Sequence, residues 1–470
     1  MPINDGAVNK LGQWGMRVAV PFKFFPFAGS RRKVKPVGER TARFWALTTT
    51  ILLLGYLCCG RSFAYVGIPP LNVFIGEVAL GLFILTRAKE SLGKWCHSLM
   101  SETRISTLAW AYYIFAGYGV IQAFHGLIAG YPPLITLQGL VFNIYPLYFF
   151  LGLWVGSRYP ERLEKFFRWL AWCNGIYGTL FVGIVSPYLL ERADPGRHES
   201  EVSIFGSPCG SALAIIGLLC FERRIRPVVI PMILNSFVML GMQVRAEWLG
   251  FAGAFALWGV LSRKIGRMLA GVAGIILLLA VGYVADFSIP SPAGRGGQLS
   301  TKDIIGRGLS AIDSESASEY SETTESTAGT VEWRKKWWRA IWSAIHENNF
   351  NILFGFGHGY PLTDLVPYLE GQSEIRSPHN IFFFCLSYTG WVGVILFFTF
   401  QLVILRLHWL VFRQTRNPFG VAYVVMSIAS AFFSNCFETP FGAIPYYLLT
   451  GLAIAPLLRS KNQPTTSIGA

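Results

Sequence analysis

The chain has 470 residues, of which 53% are hydrophobic and only 14% charged, yet its formal net charge is +14 and its mean hydropathy is +0.44. Soluble chains of this size carry about 25% charged residues, so the composition excludes an ordinary soluble enzyme, and it equally excludes a disordered or collagen-like chain. A charge of +14 points to nucleic acid only if the basic residues do not sit in short loops between apolar spans, where they set membrane orientation instead.

A membrane helix needs about 20 mostly apolar residues. Twelve stretches fit in chain order: 44–59, 69–86, 105–124, 136–156, 169–190, 203–221, 227–243, 246–262, 268–285, 380–405, 418–436 and 441–458. The pairs 227–243/246–262 and 418–436/441–458 read as tight hairpins. With the N-terminus in the cytoplasm, the tail and the inner loops 87–104, 157–168, 222–226, 263–267, 406–417 and the C-terminal end hold 28 of the 40 Lys and Arg residues. The outer connections, apart from one long loop, hold Arg61, Arg192, Arg197 and Arg245. This bias predicts twelve spans with both termini cytoplasmic. The chain then divides into a basic tail (1–43), helices 1–9 (44–285), an outer loop (286–379), helices 10–12 (380–458) and a short tail (459–470). The first tail lacks the short apolar region and cleavage site of a secretory signal. Its Arg31, Arg32, Lys33 and Lys35 suit anionic headgroups better than nucleic acid. The eight cysteines have no spacing suited to zinc, and none lies in the long loop. Cys58 and Cys59 read as apolar filler.

The loop 286–379 carries eight basic and twelve acidic residues, so it is not a basic patch. Residues 287–330 are rich in Ser, Gly, Thr and Glu and predict an irregular, mobile segment. Residues 331–347, VEWRKKWWRAIWSAIHE, predict an amphipathic helix. At 100° per residue, Trp333, Trp337, Trp338, Ile341, Trp342 and Ile345 share one half, while Lys335, Lys336, Arg339 and His346 share the other. Arg334 falls in the middle of the Trp/Ile face. Two readings stay open there. Arg334 snorkels to lipid phosphate from an interfacial helix, or it points into a cavity that holds an anionic substrate. Next comes a Gly-rich turn, FGFGHGY, which without strand–helix context signals a loop and not a dinucleotide site.

Other polar residues mark the same outer level. Arg245, in GMQVRAEWLG, is either paired with Glu247 or a backbone carbonyl, or is a phosphate ligand, for which the planar guanidinium fork is suited. His379 is either a helix-start residue or a general base, having an ordinary pKa near 6.5. Asn380 caps the following helix, and Arg376 adds a cation to its mouth. Glu77, inside the second span, reads as a satisfied structural acid. Glu438, in an outer turn, is a weaker polar candidate.

An outer-turn arginine, a long loop with an Arg/Trp helix, FGFGHGY, and then HNIFFFCLSYTGWVGVILF make an ordered set over about residues 230–405. This set resembles the O-antigen ligase and Wzy-type polysaccharide polymerase superfamily of bacterial membrane glycosyltransferases. The N-terminal third is similar in hydropathy and topology alone. The resemblance implies an all-α, GT-C-type membrane protein of the bacterial inner membrane, with a periplasmic active site, no cofactor and no metal. It implies a glycan donor on undecaprenyl diphosphate and a glycan or lipid A–core acceptor. Arg245 and Arg334 would hold the diphosphate, with Arg376 beside them, and His379 would be the catalytic base, supported by Asn380 and Glu247. Direct attack would invert the anomeric centre. Ligase and polymerase share this donor chemistry, and the sequence leaves both open. A transporter or flippase should show matched broken helices in two halves, and no such symmetry is visible. A scaffold or sensor would need a soluble inner domain.

Overall fold

The computed structural model describes residues 37–68, 73–89, 105–159, 162–186, 206–222, 224, 226–286, 288–290, 298–309, 323–367 and 377–458. The chain divides between Thr41 and Ala42, and apart from the first residues of α1 the features below belong to residues 42–470. The helices are α1 (Val37–Ala64), α2 (Ile75–Lys89), α3 (Ser106–Ile128), α4 (Pro133–Ile144), α5 (Leu147–Arg158), α6 (Arg162–Leu180), α7 (Pro208–Phe221), α8 (Val229–Gly241), α9 (Arg245–Leu261) and α10 (Ile265–Val284). They continue with α11 (Thr301–Leu309), α12 (Thr323–His346), α13 (Asn349–Phe354), α14 (Ile381–Thr415), α15 (Phe419–Ala431) and α16 (Pro440–Ile454). Two short antiparallel hairpins, β1–β2 (Gly67–Ile68 with Val73–Phe74) and β3–β4 (Ser288–Pro290 with Gln298–Ser300), are the strands among the described residues.

Each of the twelve apolar stretches contains helix. Among the described residues, five segments are long and apolar enough to cross a membrane by length and composition: Glu39–Ala64, Pro133–Arg158, Ile265–Val284, Ile381–Thr415 and Pro440–Leu458. Four shorter apolar helices accompany them. The segment expected as one span over 136–156 is two helices, because the Tyr145–Pro146 step interrupts the backbone ladder. The next expected span, 169–190, passes into a π-turn at Phe181–Val185. Helix α10 has no buried residue, with Leu277 65% and Leu278 73% exposed. An apolar helix with no buried residue calls for hydrocarbon around it, which supports a membrane protein.

Contacts between distant parts of the chain build a large core, with a small second cluster of Phe181, Val182, Val238 and Met242. Helix α5 packs closely on α16, with Gly152 against the backbone of Leu448 and Gly451 against that of Phe149. Small residues let membrane helices approach in this way. Helices α6, α7 and α8 share buried amides: Asn235 Nδ2 donates to the carbonyls of Ala171 and Pro231 at 2.7 Å, and Asn174 meets Ser211 and Asn235. Glu77 accepts from the Phe74 N–H and from Tyr145 Oη, both at 3.0 Å, so it is a satisfied structural acid at the start of α2.

Among its described residues, the segment 286–379 is more ordered than its composition suggests. Within the Ser-rich stretch 287–330, the β3–β4 hairpin, α11 and the first turns of α12 are formed. Helix α12 docks through Trp337, Ile341 and Ile345, all fully buried. Trp337 Nε1 donates to the Leu362 carbonyl at 2.8 Å. Trp342, assigned to the apolar half by helical spacing, is 42% exposed. Helix α14 is interrupted at Gly390 (φ 62°, ψ −170°), where the Leu353 carbonyl and Phe354 backbone of α13 press against its Cα. A side chain there would need left-handed backbone and would strike that backbone. Phe356 N–H donates to the Ser387 carbonyl at 2.8 Å beside this break. The Gly-rich turn is thus pinned to α14, and through His358 N–H to the Gln122 carbonyl at 3.2 Å it is tied to α3.

Candidate active site

His379 sits one residue before the Asn380 cap of α14. Its φ of 53° is left-handed, which costs a non-glycine residue about 1 kcal/mol or more. Three contacts hold this conformation. His379 N–H donates to Ser377 Oγ at 3.1 Å. Trp338 Nε1 donates to the Pro378 carbonyl at 2.8 Å. Asn380 Oδ1 accepts from Phe382 and Phe383 N–H at 2.9 and 3.2 Å, closing the helix start. The imidazole meets Trp333 edge to face, with centroids 6.3 Å apart. Burial, then Arg334, then Arg61 push its pKa down to about 3. The ring is therefore neutral at neutral pH, the state a proton acceptor requires.

Arg334 leaves α12 on the side of Trp333 and Trp337. It is half-buried, whereas its neighbours Lys335, Lys336 and Arg339 are exposed. Its Nη1 donates to the Phe433 carbonyl at 3.3 Å, and its guanidinium lies 5.6 Å from the Trp333 ring centroid. Its Nε is buried with no hydrogen-bond partner among the described residues. Burial, with the charge of Arg245 second, pushes its pKa down to about 10. Arg245 opens α9 at the turn after α8, within electrostatic reach of Arg334. A third cation, Arg307 on α11, is buried. Burial depresses its guanidinium pKa, Asp303 counters this, and Arg245 adds to the depression. Like charges held together at partly desolvated positions are destabilising by themselves, so such a cluster is complementary to a multivalent anion.

Arg245, Arg334 and His379, singled out from the sequence, are brought together. Arg376 lies outside the described residues. Asn380 is occupied as a helix cap. Glu247 is buried and accepts from Ser430 Oγ at 3.4 Å, which ties α9 to α15. Sequence reasoning passed over Arg61 and Arg307. Arg61 was counted among the outer-loop charges, and Arg307 lies in the stretch read as irregular. Glu438 also gains a role: its Oε1 accepts from Ser377 Oγ at 3.4 Å, beneath the His379 turn. Burial pushes its pKa up to about 8, so at neutral pH it is largely protonated. A cavity of about 580 Å³ lined by Arg168, Trp172, Glu222 and Pro231 lies at the opposite ends of α7 and α8 from Arg245, away from this cluster.

Residues 230–398 match the family model described as O-antigen ligase. The matched stretch contains Arg245, Arg307, Arg334 and His379, and ends before Glu438. No curated protein matches the chain.

Proposed function

On the match of residues 230–398 to the O-antigen ligase family model, we propose that this membrane protein transfers a glycan from undecaprenyl diphosphate to an acceptor hydroxyl. The observation that carries the reading is Arg334: a half-buried guanidinium with an unsatisfied Nε, backed by Arg245, beside a neutral His379. The site lies at the outer membrane face in the orientation expected from the basic inner loops, with twelve crossings and a GT-C-type arrangement.

The chemistry follows from the charges. As the glycosidic C–O bond breaks, its electron pair moves onto the leaving diphosphate, and negative charge grows there. Arg334 and Arg245 stabilise that charge. A preorganised donor of this kind is worth about 10²–10³ in rate. His379 accepts the acceptor hydroxyl proton as the oxygen attacks the anomeric carbon from the opposite side, which inverts that centre. General-base help of this type contributes about 10²–10⁴. The bound diphosphate also offsets Arg334 and so makes His379 a stronger base when substrate is present. The products are a new glycoside and undecaprenyl diphosphate, with the proton left on His379.

The test is turnover of an undecaprenyl diphosphate oligosaccharide by purified protein, with lipid A–core in one arm and none in the other. Product that forms only with lipid A–core supports the ligase reading. A ladder without added acceptor identifies a Wzy-type polymerase. Absence of donor turnover in both arms refutes glycan transfer.

A further inference from the structure

We propose that Arg61, at the end of α1, forms a second anion subsite beside His379, filled by a phosphate of the acceptor and not by the donor diphosphate. The proposal rests on the transfer reaction above and names one chemical requirement of its acceptor.

The placement of Arg61 is built into the chain. Gly60, the preceding residue, breaks α1 with φ 56° and ψ −125°. A Cβ there would lie 2.6 Å from the Gly206 carbonyl oxygen, so glycine is required both by backbone conformation and by contact. The break directs the last turn of α1 toward the start of α16, where the Arg61 guanidinium lies 5.1 Å from the Phe441 ring centroid. Arg61 is exposed, and no carboxylate pairs with it among the described residues. It stands where a partner from outside the chain can reach it.

The connection between α15 and α16 shows that Arg61 and Arg334 flank one site. Phe433, at one end, receives the Arg334 hydrogen bond, and Phe441, at the other, underlies Arg61. Glu438 lies between and braces the His379 turn through Ser377. Arg245 interacts with both Arg307 and Arg334, and His379 feels Arg334 first and Arg61 second. Arg334 and Arg245 are assigned to the donor diphosphate above, and Arg61 is not one of them.

A cation beside a general base weakens that base. Arg61 is useful to the reaction only if a second anion covers it when the acceptor hydroxyl is in place. An acceptor that carries its own phosphate near the reacting hydroxyl supplies this anion and strengthens His379 on arrival. Guanidinium is suited to phosphate because it binds two oxygens at once. An acceptor without phosphate would leave the base suppressed.

The experiment uses the full chain in lipid nanodiscs. Binding of three probes is measured: undecaprenyl diphosphate, a phosphorylated glycolipid, and the same glycolipid after phosphatase treatment. For Arg61→Gln, affinity for the phosphorylated glycolipid should fall by about tenfold, the loss of one charge-assisted contact. The other two probes should be unaffected, and Arg61→Lys should recover part of the loss. Arg334→Gln should weaken undecaprenyl diphosphate instead. The proposal is overturned if Arg61→Gln weakens undecaprenyl diphosphate, if it weakens both glycolipid forms equally, or if it changes nothing. Competition by bulk phosphatidylglycerol at the same concentration as the glycolipid also overturns it, since the site would then be a general headgroup contact. Thermal midpoints of the variants separate binding loss from misfolding. Wild-type protein that binds the phosphorylated glycolipid but never turns over the diphosphate donor would end the transfer reading and leave the subsite standing.

Discussion

Replacing Arg334 by Gln removes a charge and a planar fork while leaving a polar side chain of similar reach. In the native protein one of five guanidinium N–H groups is committed to the Phe433 carbonyl, and the buried Nε has no partner. The remaining donors are free to meet a leaving diphosphate, and losing such a contact lowers kcat by about 10²–10³, or about 3–4 kcal/mol of transition-state stabilisation. A second effect runs the other way. Arg334 is one of the causes that hold His379 down at about 3, after burial and ahead of Arg61. Its removal makes His379 more basic and moves the acidic limb of the rate profile upward. Arg334→Lys keeps the charge and loses the fork, so its kcat should fall between wild type and Arg334→Gln. Lys335→Gln, Lys336→Gln and Arg339→Gln alter exposed charges and should stay within about twofold of wild type. The assay is donor turnover by purified protein across pH, with matched expression and membrane insertion. Full activity in Arg334→Gln, or an equal loss in Arg339→Gln, would refute the assignment of the inward-facing arginine.

His379→Ala should lower turnover by about 10²–10⁴ and leave donor binding intact, checked by retention of undecaprenyl diphosphate on inserted protein. In wild type the acid limb of kcat/KM should lie below pH 5, because the free His379 is neutral down to about 4; a limb at 6.5 would show an unperturbed histidine. His358 is fully buried with its pKa pushed down to about 3 by burial. Between pH 6.5 and 3 the unfolded chain binds its proton and the folded chain does not, so stability is lost as pH falls through that window. His358→Asn should flatten the fall of the thermal midpoint between pH 6.5 and 4. Gly390→Ala should free α13 from α14 at a cost of about 1–3 kcal/mol, detected as faster proteolysis after Phe354 together with lost turnover. Trp337→Ala should destabilise the docked loop helix by about 3–5 kcal/mol, read by thermal unfolding.

Hydropathy was enough to mark where apolar helices fall, because the period and length of apolar runs are local properties. All twelve apolar stretches contain helix, and α10 shows the logic most plainly: it is long and apolar, and none of its residues is buried. The interruptions were less legible. The break at Tyr145–Pro146 has a local cause in proline, but those at Gly60 and Gly390 arise from backbone contacts with Gly206 and with Leu353–Phe354, far away in the chain. The Ser-rich outer segment misled in the same way. Its composition lacks apolar residues to drive local order, and α11 instead forms against α10 and α12.

Within the site, helical spacing alone separated Arg334 from Lys335, Lys336 and Arg339, since the direction of a side chain on a helix is set by its phase. His379 was marked by its position before an apolar span. What spacing could not reveal is company. Arg61 comes from α1, Arg307 from the outer loop and Glu438 from the turn before α16, and their separation along the chain carries no trace of their meeting. Whether a charge serves as a topological marker or as part of an anion site depends on what packs beside it, and that is a property of the folded chain. The sequence by itself determined a basic helical membrane protein with an arginine on the Trp/Ile face of a loop helix and a histidine at a helix mouth. Only the tertiary structure decided that Arg245 comes within reach of Arg307 and Arg334, that Arg61 from α1 acts on His379 together with Arg334, and that burial beside these charges keeps the histidine neutral.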